Sequence, residues 1–402
     1  MARVIITLLL MLTAHSSCAT LLVEKQRFET SNFLTYGGKT IKHVAVGWES
    51  YGSLNPEKDN VILITHYFSG NSHAAGKYSE DDQQAGYWDS IIGPGKAIDT
   101  QRYFVISVDS LVNAGVHDPH VITTGPASID PATGKPYGLS FPVVTIRDFV
   151  NVQKAVLESL GISKLHAVVG ASMGSMQAID WAAAYPQWVP RMISVIGSAQ
   201  SDPWAVATLE QWATAIRLDH NWQQGNYYGN QPPIAGLTAA LMLITQSSLH
   251  PDFINQLGAS DSIGHQSVQA GPLSDIQQPY KLISWLQNSA RQRASSMDAN
   301  HLLYLVRANQ LFVAGHPDMG LSGTNQQENL QLGLKNVGGK SLFLASHNDL
   351  LLRPAMAKHA YHTLLKLGKT AQYAEIPGDA GHLNGISNIA SQAQRISDFL
   401  QD

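Results

Sequence analysis

Gly170-Ala171-Ser172-Met173-Gly174 sets a serine between two glycines, with a β-branched run at 165–169 before it and a helical pattern from 173 to about 185 after it. A strand that turns this tightly into a helix leaves no room for a side chain on either flank, so the glycines are sterically required. The serine oxygen then stands at the positive end of the helix. A hydroxyl is a weak nucleophile until a base takes its proton, and that base is usually a histidine oriented by a carboxylate. The chain has sixteen histidines, so position must choose among them. His382 closes Gly378-Asp379-Ala380-Gly381-His382, just after the last strand-like run, and Asp349 closes Ser346-His347-Asn348-Asp349, just after the run before that. The order Ser172, Asp349, His382 is the expected triad. Asp379 is the competing acid, three residues from His382 in the same loop, and His347 is a competing base read as a loop residue. Acyl transfer also needs donors aimed at the developing oxyanion. The backbone N–H of Met173 and that of Phe68, in the loop His66-Tyr67-Phe68-Ser69-Gly70, are assigned to it.

The elements that must hold these groups show as alternating runs. Val61-Ile62-Leu63-Ile64-Thr65-His66 is almost wholly apolar, and 103–108 and 165–169 read the same way, as strands buried on both faces of a parallel sheet. Ile146, Phe149, Val150, Val152, Val156, Leu157 and Leu160 recur at spacings of three and four, which predicts a helix ended by Gly161. Strand, helix, strand at this spacing is a βαβ unit, and the pattern resumes at 192–196, 342–345 and 373–376. From about Ser198 to Gly339 the alternation stops. Trp204, Trp212, Trp222 and Trp285 and runs such as Leu302-Leu303 with Leu305-Val306 predict a packed helical cap there. The expected organisation is a core of 20–198 and 336–402 with a cap insertion over 199–335.

With 402 residues, 44% hydrophobic and 14% charged, the chain has a globular composition and excludes disorder and coiled coil. Its 26 Lys and Arg against 30 Asp and Glu form no basic stripe, which argues against nucleic acid or an anionic membrane and for a small-molecule partner. His117 and His120, and His359 and His362, are pairs without the H-E-x-x-H context of a metal site, so no metal is expected. Gly93-Pro94-Gly95-Lys96 lacks the further glycine of a dinucleotide fingerprint and reads as a turn. The start differs from the rest: Met1-Ala2-Arg3 is basic, 4–14 is apolar apart from threonines, and Ser17-Cys18-Ala19 offers small residues for cleavage. This pattern predicts a signal peptide over 1–19 and an exported protein, periplasmic or secreted, with no stable membrane span. Cys18, the only cysteine, falls inside that segment and would be the anchor in a lipoprotein reading.

Longer stretches resemble the homoserine O-acetyltransferase family of α/β-hydrolases. They are Tyr51-Gly52-Ser53-Leu54-Asn55, Ile92-Gly93-Pro94-Gly95-Lys96-Ala97-Ile98-Asp99-Thr100, Thr124-Gly125-Pro126-Ala127-Ser128 and Phe141-Pro142-Val143-Val144-Thr145-Ile146-Arg147-Asp148. Asp298-Ala299-Asn300 resembles a cap motif of the family. The resemblance implies the α/β-hydrolase fold, a mostly parallel sheet with helices on both faces and a helical cap. It also implies the same triad, no cofactor, and transfer of an acyl group from coenzyme A through a seryl ester to a small hydroxyl, in a chain that can form a homodimer. It implies departures too. Leu383 stands where homoserine-specific members place an aspartate, Gln246 where they place a tyrosine, and Ala213 near the position of an arginine. The 112–122 segment replaces a glycine-rich loop. Leu383 and Gln246 are therefore expected to line a substrate pocket with less charge than homoserine requires. Three readings follow: hydrolysis of small acyl esters, acyl transfer to another acceptor with acetyl-CoA as the donor, or a non-catalytic binding protein on the same fold.

Overall fold

A computed structural model describes residues 21–259, 275–315 and 326–402. The expected signal segment, with Cys18, lies outside the described residues. Eight strands form one sheet: β1 (Gln26–Leu34), β2 (Thr40–Tyr51), β3 (Val61–Thr65), β4 (Phe104–Val108), β5 (Ala167–Ala171), β6 (Arg191–Val195), β7 (Lys340–Ser346) and β8 (Ala371–Ile376). Their spatial order is β1-β2-β4-β3-β5-β6-β7-β8. β1 with β2 and β2 with β4 are antiparallel, and all later neighbours are parallel.

Period-two alternation divides the interior. Val61 and Leu63 of β3 pack in one core cluster with Phe149 and Trp181, while Ile62 and Ile64 face a second with Trp88 and Phe399. Every residue of β3, β4 and β5 is buried, which is why these strands read as continuous apolar runs. The edge strand β1 alternates between half-buried and exposed positions and carries no such run, so sequence inspection passed over the β1–β2 hairpin.

Helix α1 (Ile146–Ser159) starts with a capping box in which Asp148 accepts from the Thr145 N–H at 2.7 Å. Helix α2 (Met173–Ala184) is buried around its whole circumference, as a helix running under the sheet's centre must be. Between β6 and β7 the chain forms α3 (Pro203–Arg217), α4 (Ile234–Ser248), α5 (Pro251–Ala259), α6 (Lys281–Ala294), α7 (Ala299–Gln310) and α8 (Gln326–Leu334). Asp298-Ala299-Asn300 fastens this segment. The Asp298 carboxylate accepts from the His301 N–H, from Tyr227 Oη at 2.7 Å and from Tyr228 Oη at 3.1 Å, and His301 Nδ1 meets Asn113 O at 2.8 Å. Helices α9 (Pro354–Lys366) and α10 (Ala393–Gln401) complete the fold, α9 packing on β7 and β8 and α10 entering the second core through Ile396, Phe399 and Leu400.

Candidate active site

The turn from β5 into α2 holds Ser172 at φ 57° and ψ −119°, a conformation that non-glycine residues rarely adopt. Its N–H donates to Val195 O at 2.9 Å, tying the turn to β6. A Cβ on Gly170 would collide with Thr65 Oγ1 and Gly174 O, and one on Gly174 with the Thr65 carbonyl. The two glycines are thus fixed by the close passage of β3 beside the turn.

Three side chains from three loops converge. His382 Nε2 lies 2.8 Å from Ser172 Oγ, and His382 Nδ1 lies 2.6 Å from Asp349 Oδ2. Asp349 Oδ1 accepts the N–H groups of Leu351 and Leu352 at 2.8 and 3.0 Å, so both carboxylate oxygens are engaged and the side chain is held in one orientation. All three groups are buried. Asp379, by contrast, is exposed, and His347 Nδ1 faces Ile376 O at 3.3 Å rather than the serine. The histidine turn is pinned from β7: Ser346 Oγ donates to Gly381 O at 2.6 Å, and Asn384 Nδ2 donates to Ser346 Oγ at 3.0 Å. Gly381 has φ 64° and lies against the backbone at His250, two independent reasons for the absent side chain. Ser346 and Asn384 carried no signal that sequence inspection could rank.

The loop after β3 is held from below. His66 is fully buried, and burial lowers its pKa, keeping the ring neutral. Its Nε2 accepts from the Ser110 N–H at 3.0 Å, which assigns the proton to Nδ1, facing Tyr67 O at 2.8 Å. Asp109 Oδ1 accepts from the Ser72 N–H at 2.7 Å, and Lys25 bridges Glu49 at 2.7 Å and Asp109 at 3.4 Å. Between these anchors, neither the Phe68 N–H nor that of Met173 meets a protein acceptor among the described residues.

Ser172 and His382 open into a cavity of about 510 Å³. The core side contributes Tyr67, Phe68, Met176 and Leu383; the cap contributes Leu209, Trp212, Ile244, Leu249, Phe253 and Trp285. One expectation about this wall needs correction. Gln246 is exposed and does not line the cavity, because successive residues of α4 are rotated by about 100° and Thr245, Ser248 and Leu249 take the inward face instead. The wall also carries Arg293, from α6. Ala213 is buried on α3 behind Trp212, outside the lining. Among the described residues no aspartate or glutamate lines the cavity, and no group of three or more His, Cys, Asp or Glu is placed to hold a metal.

This arrangement can activate a hydroxyl, hold an acyl group on it and release that group to water or an alcohol. The α/β hydrolase fold model matches residues 85–388. A homoserine O-acetyltransferase of Methanococcoides burtonii is 38% identical over 355 residues, covering 87% of this chain and 68% of that one. Among solved structures, esterase E22 is 59% identical with a TM-score of 0.89, over 94% of this chain and 100% of that chain. Homoserine O-acetyltransferase from Bacillus anthracis is 36% identical with a TM-score of 0.87, over 95% and 98%. The relatives are serine-type enzymes that need no cofactor, so the non-catalytic reading falls away. From its fold and these likenesses, the chain belongs to the homoserine O-acetyltransferase family of α/β-hydrolases and is an enzyme of acyl transfer or ester hydrolysis.

Proposed function

We propose that the enzyme hydrolyses small acyl esters through a seryl acyl-enzyme. Ser172 attacks the ester carbonyl while His382 takes its proton, and Asp349 holds the imidazole in the required tautomer and stabilises the imidazolium. The carbonyl oxygen, gaining charge, is received by the N–H groups of Phe68 and Met173. His382 then returns the proton to the departing alcohol and next activates a water that releases the acid. The observation that carries this reading is the cavity wall: Leu383 lies beside His382, and among the described residues no carboxylate lines the space in which an amino acid's ammonium would have to be neutralised. Leaving such a charge unpaired forfeits roughly 1.5–3 kcal/mol per lost contact, which disfavours a free amino acid as acceptor. The likeness to esterase E22 supports the same choice.

The second reading is acyl transfer from acetyl-CoA to a small hydroxyl, favoured by the likeness to the two homoserine O-acetyltransferases. Incubating purified protein with short acyl esters, with and without alcohols, and separately with acetyl-CoA and homoserine, distinguishes them by product. Free acid as the main product is expected. Acylated homoserine formed faster than ester is hydrolysed would establish transfer. Export is part of the proposal, resting on the composition of residues 1–19, and would place the enzyme away from the cytoplasmic coenzyme A pool. Amino-terminal sequencing of the mature protein near Thr20 tests it.

A further inference from the structure

The cavity contains an ionic group that hydrolysis does not use. Arg293 is the next-to-last residue of α6, and its Nη2 donates to Leu241 O at 3.1 Å and to Thr245 Oγ1, both neutral acceptors on α4. Its Nε is buried without a hydrogen-bond partner among the described residues. Arg147, Arg217 and Arg353 are neutralised by Asp180, Glu210 and Asp202. Arg191 also has a buried Nε without a partner among the described residues, but it lies at the start of β6 and does not line the cavity. Arg293 has no such carboxylate among the described residues, and burial pushes its pKa down from the usual arginine value, with Tyr67 acting in the opposite sense.

A guanidinium remains charged at any ordinary pH, so this site keeps a cation in an apolar cavity with a donor unused. That is expensive unless an anion completes it, and the planar fork of arginine matches a carboxylate in particular. A clamp between α6 and α4 would need only Nη2. The second donor and the absent counter-charge are what a clamp leaves unexplained.

We propose that Arg293 is a specificity-determining residue that receives a carboxylate carried by the substrate, so that the favoured substrates are monoanionic esters. The proposal rests on the ester-hydrolase reading above. It also explains how the cavity separates an anion from a zwitterion: Arg293 meets the carboxylate, whereas among the described residues no lining acid meets an ammonium.

The test compares esters of one chain length: 4-acetoxybutanoate, its neutral amide 4-acetoxybutanamide, and O-acetylhomoserine, with monoethyl succinate and its amide placing the acid on the acyl side. The wild-type enzyme is expected to favour the anionic member of at least one acid–amide pair roughly 10- to 100-fold in kcat/KM, mainly through KM, and to favour 4-acetoxybutanoate over O-acetylhomoserine. Arg293→Gln should erase the acid-over-amide ratio and Arg293→Lys should keep part of it, with thermal unfolding reporting whether α6 still packs on α4. Equal kcat/KM within both pairs for the wild type, or a ratio unchanged in a folded Arg293→Gln protein, would overturn the proposal. Failure to hydrolyse any of the esters would instead remove the ester-hydrolase reading beneath it.

Discussion

The core side and the cap side of the catalytic cavity are built by different physics. On the core side, Ser172 occupies a strained backbone position between two glycines that neighbouring β3 forbids to carry side chains, and His382 and Asp349 are each held by hydrogen bonds to loop backbone or buried side chains. Almost nothing there is free to vary. On the cap side, the wall includes Trp212, Phe253, Trp285 and Arg293, presented by helices that carry none of the triad. Exchange of a side chain on this side alters what the cavity accepts without disturbing the machinery beneath. One fold can therefore keep the acyl-enzyme chemistry while changing the molecule that delivers or receives the acyl group.

That division predicts effects of very different size. Ser172→Ala should lower turnover by ~10³-fold or more, and labelling by a fluorophosphonate should vanish with it. Labelling of another serine would show that the core has been misassigned. Asp349→Asn should reduce kcat by roughly 10³- to 10⁴-fold through loss of the histidine tautomer, while Asp379→Asn, at an exposed position, should leave steady-state rates alone. If Asp379→Asn were the damaging change, the acid would have to be reassigned.

Leu383 sits on the boundary between the two sides. Leu383→Asp adds a carboxylate next to His382, and should raise the ratio of homoserine acylation to ester hydrolysis roughly tenfold. An unchanged ratio would assign acceptor choice to the cap alone. The smallest effect concerns acid stability of the core. Burial would raise the Glu49 carboxyl, but hydrogen bonds with His73, Lys25 and Tyr78 and the Lys25 charge outweigh it and hold the pKa at about 2. A group depressed in this way stabilises the fold fully above its ordinary value of about 4.5 and loses that contribution as pH falls toward 2. Thermal unfolding of the wild type should therefore drop across that window, and Glu49→Gln should flatten the drop. An identical acid limb in both proteins would show that Glu49 does not anchor the β3 loop as the geometry requires.

The amino-acid sequence by itself determined the sheet's central strands, the elbow and the candidate triad. Each depends on local rules that leave a mark in the chain: continuous burial gives apolar runs, and a steric clash at the turn demands glycines around Ser172. Strand ends place Asp349 and His382 in loops at one edge of the sheet, so even this long-range constellation could be read from order and spacing. The cap yielded less. Gln246 and Thr245 are adjacent in sequence, yet only tertiary packing of α4 decides that Thr245 faces the cavity and Gln246 the solvent. Arg293 lies in an ordinary polar stretch, Ala290-Arg291-Gln292-Arg293-Ala294, whose composition gives no hint that one arginine is drawn into an apolar cavity while its neighbour Arg291 remains exposed. Side-chain type sets what a group can bind. Which groups share a cavity depends on helix rotation and inter-helix packing, and those are summed over contacts scattered along the whole chain.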